Sequence, residues 1–253
     1  MRSLSTRPVK VAIHQPHYLP WLGYMAKMME ADVFIFLDTV QYEKNGWQNR
    51  NKIRTAQGWQ WLTVPVRAPF PSRLIDVTID HQQGWARKHL QALRLHYARA
   101  PYLSKSLPEL ERILSHPWPT LPELNVELAR FLAAELGISC RLELASRLAA
   151  RDEPTDRLLD LCQAVGGQCY LAGQDGPKYM GLDRFRAAGI GVWQQDYQHP
   201  QYSQGGGEFL PNLSVIDLLL DHGEQSASII RSGSHWIPVV GVRGSGFGVR
   251  GPE

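Results

Sequence analysis

The stretch VKVAIHQPHYLPWLGYMAKMMEADVFIFLD, residues 9–38, constrains the fold more than any other part of the chain. It begins and ends in short apolar runs, and its middle, GYMAKMMEA, has helical spacing. Two such runs joined by a helical crossover pair in parallel, because the helix carries the chain back to the same end of a sheet. The second run, VFIFL, shows no polar alternation, which predicts a strand covered on both faces. A chain built from such units is an α/β protein.

The rest of the sequence extends that plan and interrupts it twice. WQNRNKIRT and WQWLTVPV, separated by AQG, predict a β-hairpin after the second strand. In its first arm Gln48, Arg50, Lys52 and Arg54 alternate with Trp47, Asn49, Asn51 and Ile53, so one face is expected to be basic. IDVTID, 75–80, adds a short strand. From about 84 to 137 apolar residues recur every three or four positions, which predicts a helical insertion. Strands and helices then alternate again: CRLELAS, a helix in EPTDRLLDLCQAVGG, QCYLAG, a helix over 179–188, IGVWQQDY, and a helix in LSVIDLLLDHG. The expected architecture is one α/β domain over 1–232, mainly parallel, with flanking helices. Residues 233–253, rich in glycine, read as a flexible tail.

Composition removes several classes of function. A hydrophobic fraction of 43% in 253 residues predicts a folded core rather than disorder. A net charge of +3 is too small to argue for a nucleic-acid duplex as partner. Three cysteines without CxxC or Cys/His metal spacing point to reduced thiols and no structural metal. No secretion signal and no apolar run near eighteen residues occurs, so the expectation is a cytoplasmic protein without membrane insertion. Nothing in the sequence specifies an oligomeric state.

Open parallel sheets bind ligands beyond the carboxyl ends of their strands, and four polar clusters fall at such ends. His14, Gln15, His17 and Tyr18 follow the first strand, and Asp38 and Lys44 follow the second. Asp175 and Lys178 follow YLAG, while Tyr202 and Gln204 follow the strand IGVWQQDY. His14 and His17 precede a helix N-terminus, where anions are favoured, and read as contacts for a phosphate or a reacting group. Asp38 is a candidate carboxylate for an amine or Mg²⁺. Lys44, Arg50 and Lys52 suit a phosphate or carboxylate, with Trp47 and Asn51 beside them. Trp21, Trp47, Trp59 and Trp61 read as core or pocket wall. GxSxG and GK[ST] are absent, which argues against a serine hydrolase and a P-loop.

Two resemblances follow. The HxxH spacing is similar to the HxGH signature of nucleotidylyltransferases and pantothenate-synthetase-like ligases, which grips ATP phosphates. Here proline replaces the glycine that lets backbone approach phosphate. More extensively, HQPHYLPWLGY, ADVFIFLDTVQYEKNGWQNRNKIRT, WLTVPV, HPQYSQ and FLPNLSVIDLLLDHG resemble the WbqC-like family in order over about residues 10–223. That resemblance implies a place in bacterial O-antigen or related polysaccharide synthesis, with a glycyl or other aminoacyl transfer to an amino sugar. It supplies no catalytic residues. The expected function is therefore an acyl or aminoacyl transferase or an ATP-dependent amide-forming ligase on a small, phosphate-bearing substrate. ATP with Mg²⁺ or an activated acyl donor would be co-substrate, with no structurally bound cofactor. His14, His17 and Asp38 would be catalytic, and these are expected to meet Arg50 around one cleft. The alternative is a non-catalytic binding or scaffolding protein of such a pathway, in which they would be scattered.

Overall fold

The computed structural model describes residues 7–241. In chain order these form β1 (Lys10–His14), α1 (Leu22–Glu30), β2 (Val33–Phe36), β3 (Arg50–Thr55), β4 (Gly58–Thr63), β5 (Val66–Arg67) and β6 (Thr78–Ile79). The helical insertion is α2 (Trp85–His96), α3 (Leu103–Ser115) and α4 (Leu121–Glu135). There follow β7 (Arg141–Leu144), α5 (Pro154–Ala164), β8 (Cys169–Ala172), α6 (Leu182–Ala187), β9 (Gly191–Tyr197), α7 (Val215–His222), α8 (Ser226–Ser232) and β10 (Ser234–Val240).

The main sheet has six strands in the order β10-β9-β8-β1-β2-β7. All neighbours are parallel except β10, which runs antiparallel to β9 at one edge. The fold is thus the mainly parallel α/β arrangement expected, with the hairpin β3–β4 as a separate two-stranded unit. Side chains alternate across the sheet as the pleat requires. Val11, Ile13, Val33, Ile35, Tyr170 and Ala172 enter the core under α5 and α6. Ala12, Phe34, Phe36, Cys169 and Leu171 enter the larger core with α1, the insertion and α7. Burial on both faces is why these runs lack polar alternation.

The insertion covers one end of the second core. A capping box fixes the start of α4, Thr120 and Glu123 satisfying each other's backbone and side chain. Leu121, Leu124, Leu128 and Leu132 then present an apolar stripe to the core that α4 shares with α3.

Three expectations are corrected. Ser234–Val240 is not tail but the edge strand β10, because Trp236 packs onto the core and the backbone pairs with β9 from Tyr197 to Val192. The rest of the expected tail, from 242, lies outside the described residues. The helix over 179–188 shrinks to α6, since Gly176–Lys178 makes a 3-10 turn and Gly181, at φ −75° and ψ 84°, is non-helical before Leu182. Trp47 and Trp59 are neither core nor pocket wall. They are 42% and 46% exposed on the outer face of the hairpin.

Candidate functional site

The order of strands creates a crevice before any side chain is considered. From β1 the chain moves to β2 and then β7 on one side, and β8 returns to β1's other flank and leads to β9. The loops after β1 and β8 therefore leave in opposite directions, and adjacent loops that diverge leave a gap at the carboxyl edge. In that gap lies a cleft of about 370 Å³, walled by Trp21, Gly23, Tyr24 and Lys27 of the α1 segment. His14, the loop 173–176, Gln195 and Tyr197 complete it.

His14 ends β1 two residues after Ala12, so the pleat sends its ring to the α1 side. Its ring meets that of His17 edge-on at 4.7 Å and that of Tyr24 at 4.7 Å. His14 Nδ1 lies 3.1 Å from the carbonyl of Gln15 and so carries the proton, which leaves Nε2 as the lone-pair nitrogen. Burial first, then the nearby positive groups His17 and Lys27, hold the His14 imidazolium well below the usual histidine range. Burial and Lys27 pull His17 down to about 3. Both rings are thus neutral near pH 7, and the buried Nδ1 of His17 has no hydrogen-bond partner among the described residues.

Lys27 lies one turn beyond Tyr24 and is 3% exposed. Its ammonium donates to the carbonyl of Ile13 at 3.1 Å and forms no ion pair among the described residues. Burial lowers its pKa to about 7.

The HQPHYLPW loop is held by the WQNRN segment rather than by its own turns. Gln48 donates to Gln15 Oε1 at 2.8 Å and accepts from the amide of Glu43. Asn51 Nδ2 donates to the carbonyl of Leu19 at 2.6 Å. Asn125, from α4, donates to the carbonyls of both Pro16 and Gln48. The amide of Tyr18 donates to Trp47, and Tyr18 Oη pairs with His89 of α2 at 2.8 Å. Leu19, in the left-handed region at φ 41°, is kept there by this clamp. Gln15, Tyr18 and Asn51, expected to touch substrate, thus shape the loop from behind.

Most of the remaining expected residues lie elsewhere. Asp38, at the end of β2, is 2% exposed and accepts from both the amide and the hydroxyl of Ser146, at 2.9 and 2.6 Å. Arg50 and Lys52 lie on the outer hairpin face, Arg50 4.3 Å from the Trp61 ring centroid and Lys52 4.2 Å from that of Trp59. Lys44 borders a separate hollow with Phe70. None of these four lines the cleft. Asp175 does line it but pairs with the exposed Lys178 at 2.8 Å. Tyr202 and Gln204 both donate to Asp217, at 3.0 and 3.1 Å. The four residues expected to meet therefore divide: His14 and His17 stand together, and Asp38 and Arg50 stand apart.

Sequence reasoning missed Lys27 and Asp217. Lys27 stands three residues after Tyr24 and four before Ala31 on α1, and nothing in the sequence marks that face of the helix as buried. Asp217 interrupts the apolar run VIDLLL and is fully buried. Tyr97, Arg54, Tyr202 and Gln204 surround its carboxylate, tying α2, the hairpin and the 199–204 segment to α7. Among the described residues no group of three or more His, Cys, Asp or Glu side chains is placed to hold a metal ion.

The model of the WbqC-like protein family matches residues 15–229 of this chain. An uncharacterized protein of Mycobacterium tuberculosis (strain ATCC 25618 / H37Rv), Rv1507c, is 35% identical over 226 residues, which cover 88% of this chain and 97% of that protein. No solved structure matches the chain.

Proposed function

The chain belongs to the WbqC-like protein family, and we propose that it transfers an already activated acyl or aminoacyl group, such as glycyl, to an amine. The acceptor in this reading is an amino sugar or a comparable biosynthetic intermediate. The observation that carries it is His14, a neutral imidazole at a strand tip in the switch-point cleft, with Nδ1 anchored and Nε2 free.

The amine nitrogen attacks the acyl carbon and Nε2 of His14 takes the nitrogen's proton. The carbon–leaving-group bond then breaks and the proton passes to the leaving group. A base must be unprotonated to serve, and the buried surroundings of His14 keep it so at neutral pH. The first turn of α1 borders the same cleft, and the positive end of the helix dipole there favours negative charge building on the acyl oxygen. A pre-activated donor is favoured over ATP because Lys44, Arg50 and Lys52, the groups suited to triphosphate, stand outside the cleft.

The second reading is a non-catalytic binding protein, and the separate positions of Asp38 and Arg50 favour it. One assay separates the two. Hydroxylamine, a small amine, is offered with a panel of thioester and aminoacyl donors, and hydroxamate is measured. The transferase reading expects turnover, with His14→Ala slower by about 10²–10⁴-fold, the usual contribution of a positioned base. An unchanged rate in His14→Ala removes His14 from the mechanism, and no hydroxamate from any donor leaves the binding reading.

A further inference from the structure

Lys27 has no part in the transfer just described, and its surroundings are unusual for a lysine. It shares the cleft wall with side chains that offer it no negative charge: His14 at the end of β1, Tyr24 from its own helix and Tyr197 from β9, with the His17 ring against those of His14 and Tyr24. The carboxylate on the cleft wall, Asp175, is already paired with Lys178 at the rim. The neighbour it does engage is the carbonyl of Ile13, which accepts one N–H and holds the side chain in place. A lysine desolvated beside other potential cations and without a counter-ion gives up its proton more readily, and the free amine is the form in which nitrogen is a nucleophile. The cleft beside it, about 370 Å³, has room for a small organic molecule.

We propose that Lys27 is a nucleophilic amine at which an aldehyde or ketone entering the cleft forms an imine. The Nζ lone pair attacks the carbonyl carbon, and the C=O π pair moves to oxygen. His14 takes a proton from the nitrogen and returns it to that oxygen. His14 then moves the remaining N–H proton to the hydroxyl of this carbinolamine as the C–O bond breaks, so that water leaves and the neutral C=N bond forms, with no change in oxidation state overall. The chemical class of ligand assigned to the cleft is therefore a small carbonyl compound. This inference does not depend on amide formation.

Reductive alkylation tests it on the intact wild-type chain with no acyl donor present. Acetaldehyde at limiting concentration with sodium cyanoborohydride traps imines as ethylamines, and peptide mass mapping locates them. An ordinary exposed lysine is neutral in roughly one molecule in three thousand at pH 7, while an amine titrating near 7 is about half neutral. Burial lowers Lys27 to about 7, so Lys27 should be alkylated at least about tenfold faster than the exposed Lys88 and Lys105. Its rate should level off above pH 8 while theirs still climbs. Labelling of Lys27 no faster than Lys88, or a Lys27 rate still climbing past pH 9, overturns the proposal. Lys27→Arg, which keeps a cation but lacks the nucleophile, should leave the Lys88 and Lys105 rates unchanged and add no new site. A fast label persisting elsewhere in the cleft in that variant also counts against it.

Discussion

Three histidines, His14, His17 and His89, are held as neutral rings, and that has a measurable consequence for stability. Burial is the first cause in each case, bringing His17 to about 3 and His89 to about 4. Between those values and the ordinary histidine pKa near 6.5 the unfolded chain binds protons that the native chain refuses. Stability therefore falls as pH falls through this window, and each histidine kept neutral removes up to about 2 kcal/mol between pH 7 and pH 5. Urea unfolding at the two pH values should show this loss, and His17→Leu should lose part of the slope. An unchanged slope would mean that His17 is protonated in the native state. At this scale the sequence was informative about chemistry and poor about burial. HxxH at a strand tip was legible, because the pattern of apolar runs placed it there. Lys27 was not, because a single lysine in GYMAKMME looks the same whether its face meets water or a cleft. Only the packing of α1 against β1, α8 and β10 decides that.

Among the elements, the hairpin is where sequence and structure diverge most. The strand begins at Arg50, not at Trp47, so the alternation that set Gln48 beside Arg50 breaks there. Gln48 turns inward to Gln15, and Trp47 swings out to stand 5.6 Å from Trp61. From Arg50 onward two faces appear, with Lys52 opposite Trp61 outside and Asn51 and Ile53 inside. Arg54, opposite Trp59, turns to Asp217 and Asp221 instead of joining a basic outer face. The two-residue connection Ala56-Gln57 was legible from AQG, with Gly58 at φ 127° where a side chain is disfavoured. What the one-dimensional pattern could not show is that the inner face serves the HQPHYLPW loop. Asn51 is 1% exposed and satisfies the Leu19 carbonyl, so Asn51→Leu strands a buried acceptor at a cost of about 1–3 kcal/mol. Chemical denaturation should register that loss. An equally stable Asn51→Leu would show that the loop holds its shape without the hairpin.

For the whole molecule, the sheet order is what turns two polar loops into a site. The β1–α1–β2 unit was legible from length and apolarity alone, but strand order was not, since β8's return to β1 depends on contacts far apart in sequence. That return brings the loop 173–176 opposite α1. Edge strand β10 was missed for the same reason: SHWIPVV is only partly apolar and acquires its identity from pairing with β9. The central claim, that the function resides in the cleft between β1 and β8, is open to a steric test. Gly173 lines the cleft, and a Cβ built there meets no other atom within 4 Å. Gly173→Phe should therefore fill the cleft without disturbing the core. The decisive measurement is the hydroxamate-forming rate of Gly173→Phe against wild type, in protein whose melting temperature is unchanged. The account predicts a loss of about a hundredfold or more, the scale of losing the aligned geometry of the reacting groups. A filled cleft that still turns over at the wild-type rate would contradict it.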